Sequence, residues 1–158
     1  MKRIAADSIT SRRMSRQARR DTTPEKAVRA GLRALGRHYR LNVTTLPGSP
    51  DIANKSGGWA IFVNGCYWHH HPGCHRATIP KKNRQWWLDK FRENRRRDET
   101  KVEQLEELGF DVLVVWECET SDVIALESTL MQWFHVRNER AMSRIDVHKR
   151  RGHGRHTD

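Results

Sequence analysis

The spacing of apolar positions changes along the chain, and each change predicts an element. Thr22 with Glu25 three positions later is a capping-box pattern, and Val28, Leu32 and Leu35 then share one helical face before Gly36. Tyr39, Leu41 and Val43 alternate with polar residues as in a half-buried strand. The segment from Leu46 to Pro50, with two prolines and a glycine, breaks that strand and delivers the chain to Asp51. Asp51 to Ala53, a Gly57-Gly58 turn and the run Trp59 to Val63 predict a hairpin whose second strand is apolar on both faces. The loop NGCYWHHHPGC follows. From about Asn83 to Leu108 the pattern is helical, with room for a break near the arginines, and Phe91, Asp98, Val102 and Leu105 share a face. A carboxylate therefore sits on the buried side.

Gly109 ends that helix, and Asp111 to Trp116 predicts another strand apolar on both faces, followed at once by Glu117 and Cys118. The crossover makes the strands at Trp59 and Asp111 parallel, in a mixed sheet that is mostly central-parallel. A last amphipathic helix places Val123, Leu126, Leu130 and Trp133 on one side. Residues 1–20 and 141–158 are basic and poor in large apolar side chains, so they are expected to be a flexible arm and a disordered tail around one folded domain over 21–140. The fold class is α/β, with helices on the faces of the sheet. Ligands of such sheets gather beyond the carboxyl ends of the strands, where Asn64, Cys66 and Cys118 fall.

Composition narrows the partner. The 158 residues hold 30 Lys and Arg against 19 Asp and Glu, a formal charge of +11, which favours a polyanion through phosphate contacts and counterion release. A soluble basic surface or a membrane-facing patch is the bland alternative. No apolar run has the length of a signal peptide or a membrane span. Three cysteines cannot all pair within the chain, and two of them flank a histidine run, which suits a reducing cytosol and a metal better than disulfides.

Zinc takes four thiolate or imidazole ligands, and Cys66, Cys74 and Cys118 with one of His69, His70, His71 or His75 supply them. His71 is preferred, because two residues separate it from Cys74 and it is free if His69 works elsewhere. The bland alternative is three unrelated buried cysteines. Asp51, fixed at a strand start beside a basic surface, has what Mg2+ on a phosphodiester requires, although an ordinary turn aspartate has the same signature. Asp98 in an apolar stripe must be paired or hold something: it either orients His69 for proton transfer or forms a salt bridge with Arg95 or Arg97. Tyr67, Trp68, Trp86 and Trp87 put rings near this site, suited to base stacking. Helix periodicity pairs Trp87 with Phe91 in the core, so at most one of Trp86 and Trp87 is free.

Taken together, RRDTTPEK around Glu25, LPGSPDI with Asp51, IFVNGCYWHHH with His69, the helix bearing Asp98, and LEELGFDVLVVWEC ending at Cys118 resemble the very short patch repair endonucleases, which have a restriction-endonuclease-like fold. The resemblance spans roughly residues 10 to 135. It implies an endonuclease domain over 21–140 that nicks one strand 5′ to the thymine of a T:G mismatch arising from deaminated 5-methylcytosine. It also implies Mg2+ on Asp51 and the Val63 backbone carbonyl, proton transfer by His69 with Asp98, Glu25 near the site, and structural Zn2+ on Cys66, His71, Cys74 and Cys118. Intercalating residues would be Tyr67, Trp68 and, with one residue of shift, Trp87, with Trp86 as the alternative and Met14 of the arm entering from the other groove. The implied protein is a monomer of the bacterial cytoplasm and nucleoid, with double-stranded DNA as partner and mismatch-repair proteins or a cytosine methyltransferase as functional associates.

Two departures stand out. Asn64 occupies a position where the best-known members carry histidine, and an amide hydrogen-bonds but transfers no proton. This allows slower turnover or an altered substrate range. An extra residue in Pro72-Gly73 bears on which histidine meets the metal. The rival functions are a relaxed or modification-directed nickase of a restriction or defence system, and a non-catalytic zinc-stabilised DNA-binding module.

Overall fold

A computed structural model describes residues 20–152, with side chains described through residue 143. Nearly all of the expected N-terminal arm, Met14 included, lies outside the described residues. Helix α1 (Thr23–Ala34) leads to strands β1 (Arg40–Leu41), β2 (Ile52–Asn54) and β3 (Trp59–Asn64), then helix α2 (Arg84–Glu107), strand β4 (Asp111–Trp116), a short 3-10 turn (Glu117–Thr120) and helix α3 (Val123–Gly152). The sheet order is β1-β2-β3-β4. β1–β2 and β2–β3 are antiparallel and β3–β4 is parallel, with Asn64 opposite Trp116 at its carboxyl end. The sheet is thus mixed, but its one parallel pair lies at an edge rather than dominating the centre. The hairpins are joined too tightly to run any other way.

Alternation along β3 and β4 divides the core. Ile52, Trp59, Ile61 and Val115 pack with Val28 and Leu32 of α1 and Leu126, Leu130 and Phe134 of α3. Ala53, Ala60 and Phe62 pack on the opposite face with Leu105 of α2 and with Val43. Because β3 carries apolar residues to both faces, the sheet is covered on both sides, as its unbroken apolar run predicts. Burying a side chain such as Leu130 or Phe134 stabilises the fold by roughly 1.5–3 kcal/mol. Gly31 permits the close approach of α1 and α3, since a Cβ there would lie 2.8 Å from Leu130 Cδ1.

Four details of the sequence reading are corrected. Tyr39, Leu41 and Val43 do not line one face: Asn42 adopts φ 47°, the strand ends after Leu41, and Leu41 is 42% exposed. Val123 is also exposed, and Phe134, one position beyond Trp133, takes the deep core place instead. α2 runs unbroken through its arginines. α3 continues as helix to Gly152, past residue 140, because a helix already nucleated against the core extends with one new hydrogen bond per residue. Among the described residues, no helix is long and apolar enough to cross a membrane.

Candidate active site and metal centre

The helix entry at α1 shapes one wall of the site. Thr22 Oγ1 accepts the Glu25 N–H at 3.4 Å and donates to Glu25 Oε1 at 2.9 Å, while Oε2 accepts the Asp21 N–H at 2.8 Å. The capping box is therefore present in a shifted form, reaching one residue further back. Its satisfied donors hold the Glu25 carboxylate in a buried position, with 7% of the residue exposed.

Asp51 enters at the start of β2. The turn before it is closed by Ser49 N–H to Leu46 C=O at 3.0 Å and Val43 N–H to Pro50 C=O at 3.1 Å. Its Oδ2 accepts the Val63 N–H at 2.8 Å, which fixes the carboxylate to the end of β3. Burial pushes the Asp51 carboxyl above its usual range and the neighbouring Glu25 adds to this, while the Val63 N–H and His69 oppose it. A buried carboxylate so disfavoured as an anion is a fit place for a cation. Asn64, one residue beyond Val63, is 8% exposed.

His69 meets Asp98 through Nδ1 and Oδ2, which leaves Nε2 as the nitrogen free of that contact. The alternative pairing of Asp98 with Arg95 or Arg97 is overturned: Arg97 pairs with Glu93, and Asp98's second partner is Lys101, with Nζ 3.1 Å from Oδ1. Although burial raises the Asp98 carboxyl, His69 and Lys101 lower it further, so the net direction is downward. The contribution of a group lowered on folding is complete above its unfolded pKa, roughly 4, and is lost as pH falls through the folded value. Accordingly, Asp98→Asn is expected to lower the melting temperature at pH 7 and to matter progressively less below pH 4; a difference from wild type that grows on acidification would contradict this.

The loop after β3 turns back on itself, with His69 N–H on Gly65 C=O at 3.1 Å and His71 N–H on Cys66 C=O at 2.9 Å. This sends successive histidines in different directions. His70 stacks face to face on Phe91, at 4.6 Å between centroids, and His71 turns to the cysteines. Cys66, His71, Cys74 and Cys118 each offer one donor atom, all within 4.8 Å of one another. His71 Nδ1 lies 3.4 Å from Cys118 Sγ and 3.7 Å from Cys66 Sγ. Donors around an ion bound tetrahedrally by three sulfurs and one nitrogen, at roughly 2.0–2.3 Å, stand about 3.5–3.8 Å apart. The two His71 separations are close to this, and the set as a whole is compatible with a closed metal site. His75 is exposed and outside the cluster. Burial pushes the Cys66 thiol up to about 12 and raises Cys118, whereas the backbone N–H of Arg76 lowers Cys74.

Several residues of the site went unread in the sequence. Glu117 Oε2 accepts the Cys66 N–H at 3.1 Å, Trp116 stacks against His71 at 4.1 Å, and Asn94 Nδ2 donates to Trp68 C=O at 3.0 Å. Lys101, three residues from Asp98, was legible from helical spacing; Glu117 and Trp116 needed the β3–β4 register, and Asn94 needed the packing of α2 against the loop after β3. Tyr67 packs edge-on against Trp68, Trp87 and Phe91. Trp87 is 5% exposed, as helix periodicity predicts, and Trp86 meets it edge to face while remaining half-buried. Of the two, Trp86 is the more accessible.

A family model described as DNA mismatch endonuclease Vsr matches residues 4–76, a stretch that includes Glu25, Asp51 and His69. Over 111 residues the chain is 45% identical to the type II nicking enzyme V.XorIIP of Xanthomonas oryzae, covering 70% of this chain and 81% of that protein. It is 36% identical over 142 residues to the DNA mismatch endonuclease Vsr of Escherichia coli, covering 87% of this chain and 89% of the relative. The type II nicking enzyme V.NmeAIP of Neisseria meningitidis is 41% identical over 100 residues, 63% of this chain and 71% of its own length.

Proposed function

Because this chain belongs to the Vsr family of DNA mismatch endonucleases, we propose that it is a Mg2+-dependent nuclease that nicks one strand of duplex DNA 5′ to the thymine of a T:G mismatch. The observation that carries the reading is the convergence on one sheet edge of Asp51, held by the Val63 N–H, and His69, held by Asp98. His69 is near enough to favour the ionised form of Asp51. A restriction-endonuclease-like fold agrees with the mixed sheet and the helices on its two faces.

Asp51 and the Val63 carbonyl would hold Mg2+. This is a sparse donor set of the kind that leaves Mg2+ most of its water and room for a substrate phosphate. When bound, the ion supplies charge neutralisation at the scissile phosphate. His69, oriented through Nδ1 by Asp98, presents Nε2 to take a proton from the attacking water. Asn64 can orient a phosphate oxygen by hydrogen bonding and moves no proton. Glu25 adds negative charge near Asp51, which strengthens the case for a cation there. Zinc on Cys66, His71, Cys74 and Cys118 would pin the loop bearing His69 to the end of β4, a structural role. The half-buried rings of Tyr67, Trp68 and Trp86 are suited to stacking on bases exposed at a weakened pair, where unstacking costs least.

A second reading keeps the chemistry and relaxes the target: several relatives are named type II nicking enzymes, names that specify no mismatch and are compatible with a nickase not confined to T:G. The non-catalytic DNA-binding reading is disfavoured by membership in a nuclease family and by the His69–Asp98 pairing. Nicking of end-labelled duplexes carrying T:G or C:G in a cytosine-methylation context, with Mg2+ or chelator, decides among them. Mg2+-dependent nicking of the T:G strand alone is expected. Equal cutting of both duplexes would reject the mismatch role, and tight binding without cutting would reject the nuclease.

A further inference from the structure

We propose that Lys101 is a positioning residue that ties the turn carrying Asp51 to the His69–Asp98 pair. Its catalytic half rests on the nuclease reading above; its packing half does not. Lys101 stands on α2 one turn beyond Asp98 and donates to Asp98 Oδ1 at 3.1 Å, while Oδ2 of the same carboxylate meets His69. The aliphatic stem of Lys101 lies against Gly48: a Cβ built there would come 2.5 Å from Lys101 Cγ, 2.7 Å from its Cβ and 2.8 Å from its Cδ. Gly48 also has φ +69°, in the region other residues rarely adopt. It sits in the Leu46–Pro50 turn, three residues before Asp51.

One side chain thus touches both halves of the proposed site, which come from different elements. Its ammonium occupies one Asp98 oxygen, leaving the other to accept the His69 Nδ1–H. Its methylenes hold the turn whose next residues place Asp51. Lys101 is one-third exposed and Asp98 less so, which suits a stem buried along its length with a head kept for a partner. Relative placement of this kind governs rate steeply, since about 1 Å of displacement costs roughly a hundredfold. A lysine that only contacts phosphate would touch neither Gly48 nor Asp98.

Lys101→Met keeps most of the stem and removes the charge, Lys101→Arg keeps a charge, and Lys101→Ala removes the charge and all of the stem beyond Cβ. With T:G duplex and Mg2+, Lys101→Met is expected to lower kcat by about 10–100-fold with KM and its salt dependence unchanged, and Lys101→Arg to recover most of the loss. Gly48→Ala should lower the melting temperature, and by less in the Lys101→Ala background, because the contacts with Cγ and Cδ are gone although the Lys101 Cβ contact at 2.7 Å and the backbone strain remain. An unchanged kcat with raised KM and a salt slope smaller by about one would make Lys101 a phosphate contact and overturn the catalytic half. Equal melting losses from Gly48→Ala in both backgrounds would overturn the packing half. A wild type that nicks no duplex would remove the nuclease reading and the catalytic half with it, while the melting cycle still decides whether Lys101 holds the turn.

Discussion

Asp51→Ala is expected to reduce Mg2+-dependent nicking of a T:G duplex by about a thousandfold or more, the scale of losing the charge that holds a catalytic cation. The protein should survive the change. Asp51 is a buried carboxylate held above its usual range by desolvation and by Glu25, so the fold gains little from its charge. What alanine does remove is the acceptor for the Val63 N–H, and an orphaned buried donor costs about 1–3 kcal/mol. Asp51→Asn is therefore the sharper variant: its amide oxygen can still accept from Val63, whereas its charge is gone. Both variants should bind duplex DNA as tightly as wild type in the absence of divalent metal. Nicking by Asp51→Asn at the wild-type rate would sink Asp51 as the metal ligand; loss of nicking together with loss of melting cooperativity would make its role structural.

Removal of the proposed zinc is expected to have the other large effect, on folding itself. Structural zinc in small sites contributes about 10–16 kcal/mol of apparent free energy, as much as the roughly 5–15 kcal/mol that separates a whole domain from its unfolded state. Here the proposed ligands come from the loop after β3 and from the turn after β4, so the ion would close a link between Cys66 and Cys118 across the sheet edge. Without it, Cys66 is a buried thiol pushed up to about 12, and the loop that carries His69 depends on hydrogen bonds such as Cys66 N–H to Glu117. Cys118→Ser and Cys66→Ser, or a strong chelator, are expected to abolish cooperative melting or to lower its midpoint by tens of degrees. His75→Ala, outside the cluster, should leave melting and zinc content unchanged. Metal analysis finding no zinc in purified protein, or a His75 variant as damaged as Cys118→Ser, would end the assignment.

The two effects also separate functionally. On the proposed reading, Asp51 would act on rate in a folded protein, and the cysteines on whether His69 is presented at all. A preparation that melts normally and lacks nicking points to Asp51, His69 or Asp98. One that has lost its melting transition points to the metal centre.

Much of this was legible in the amino-acid sequence. The unbroken apolar runs at Trp59 and Asp111 required strands covered on both faces, and the chain between them required a crossover and hence a parallel pair. Two of the side-chain groupings were legible in outline: Asp98 in a largely buried stripe needs a partner, and cysteines at two parallel strand ends are brought together by the strands themselves. Helix period correctly put Trp87 in the core beside Phe91.

What the sequence left open depends on contacts between distant segments. Whether Asp98 meets His69 or an arginine turns on the fold of the loop after β3, which sends His69, His70 and His71 to an aspartate, a phenylalanine and the cysteines respectively. The failure of Leu41 to bury comes from one left-handed residue, Asn42, that alternation cannot register. The packing of Lys101 on Gly48 joins a helix to a turn far away in the chain. Periodicity determines which side chains must leave water, because that depends on each residue's own transfer free energy and its place in a repeat. Tertiary structure alone decides what those side chains meet, because register and loop direction are set by the packing of the whole sheet against its helices.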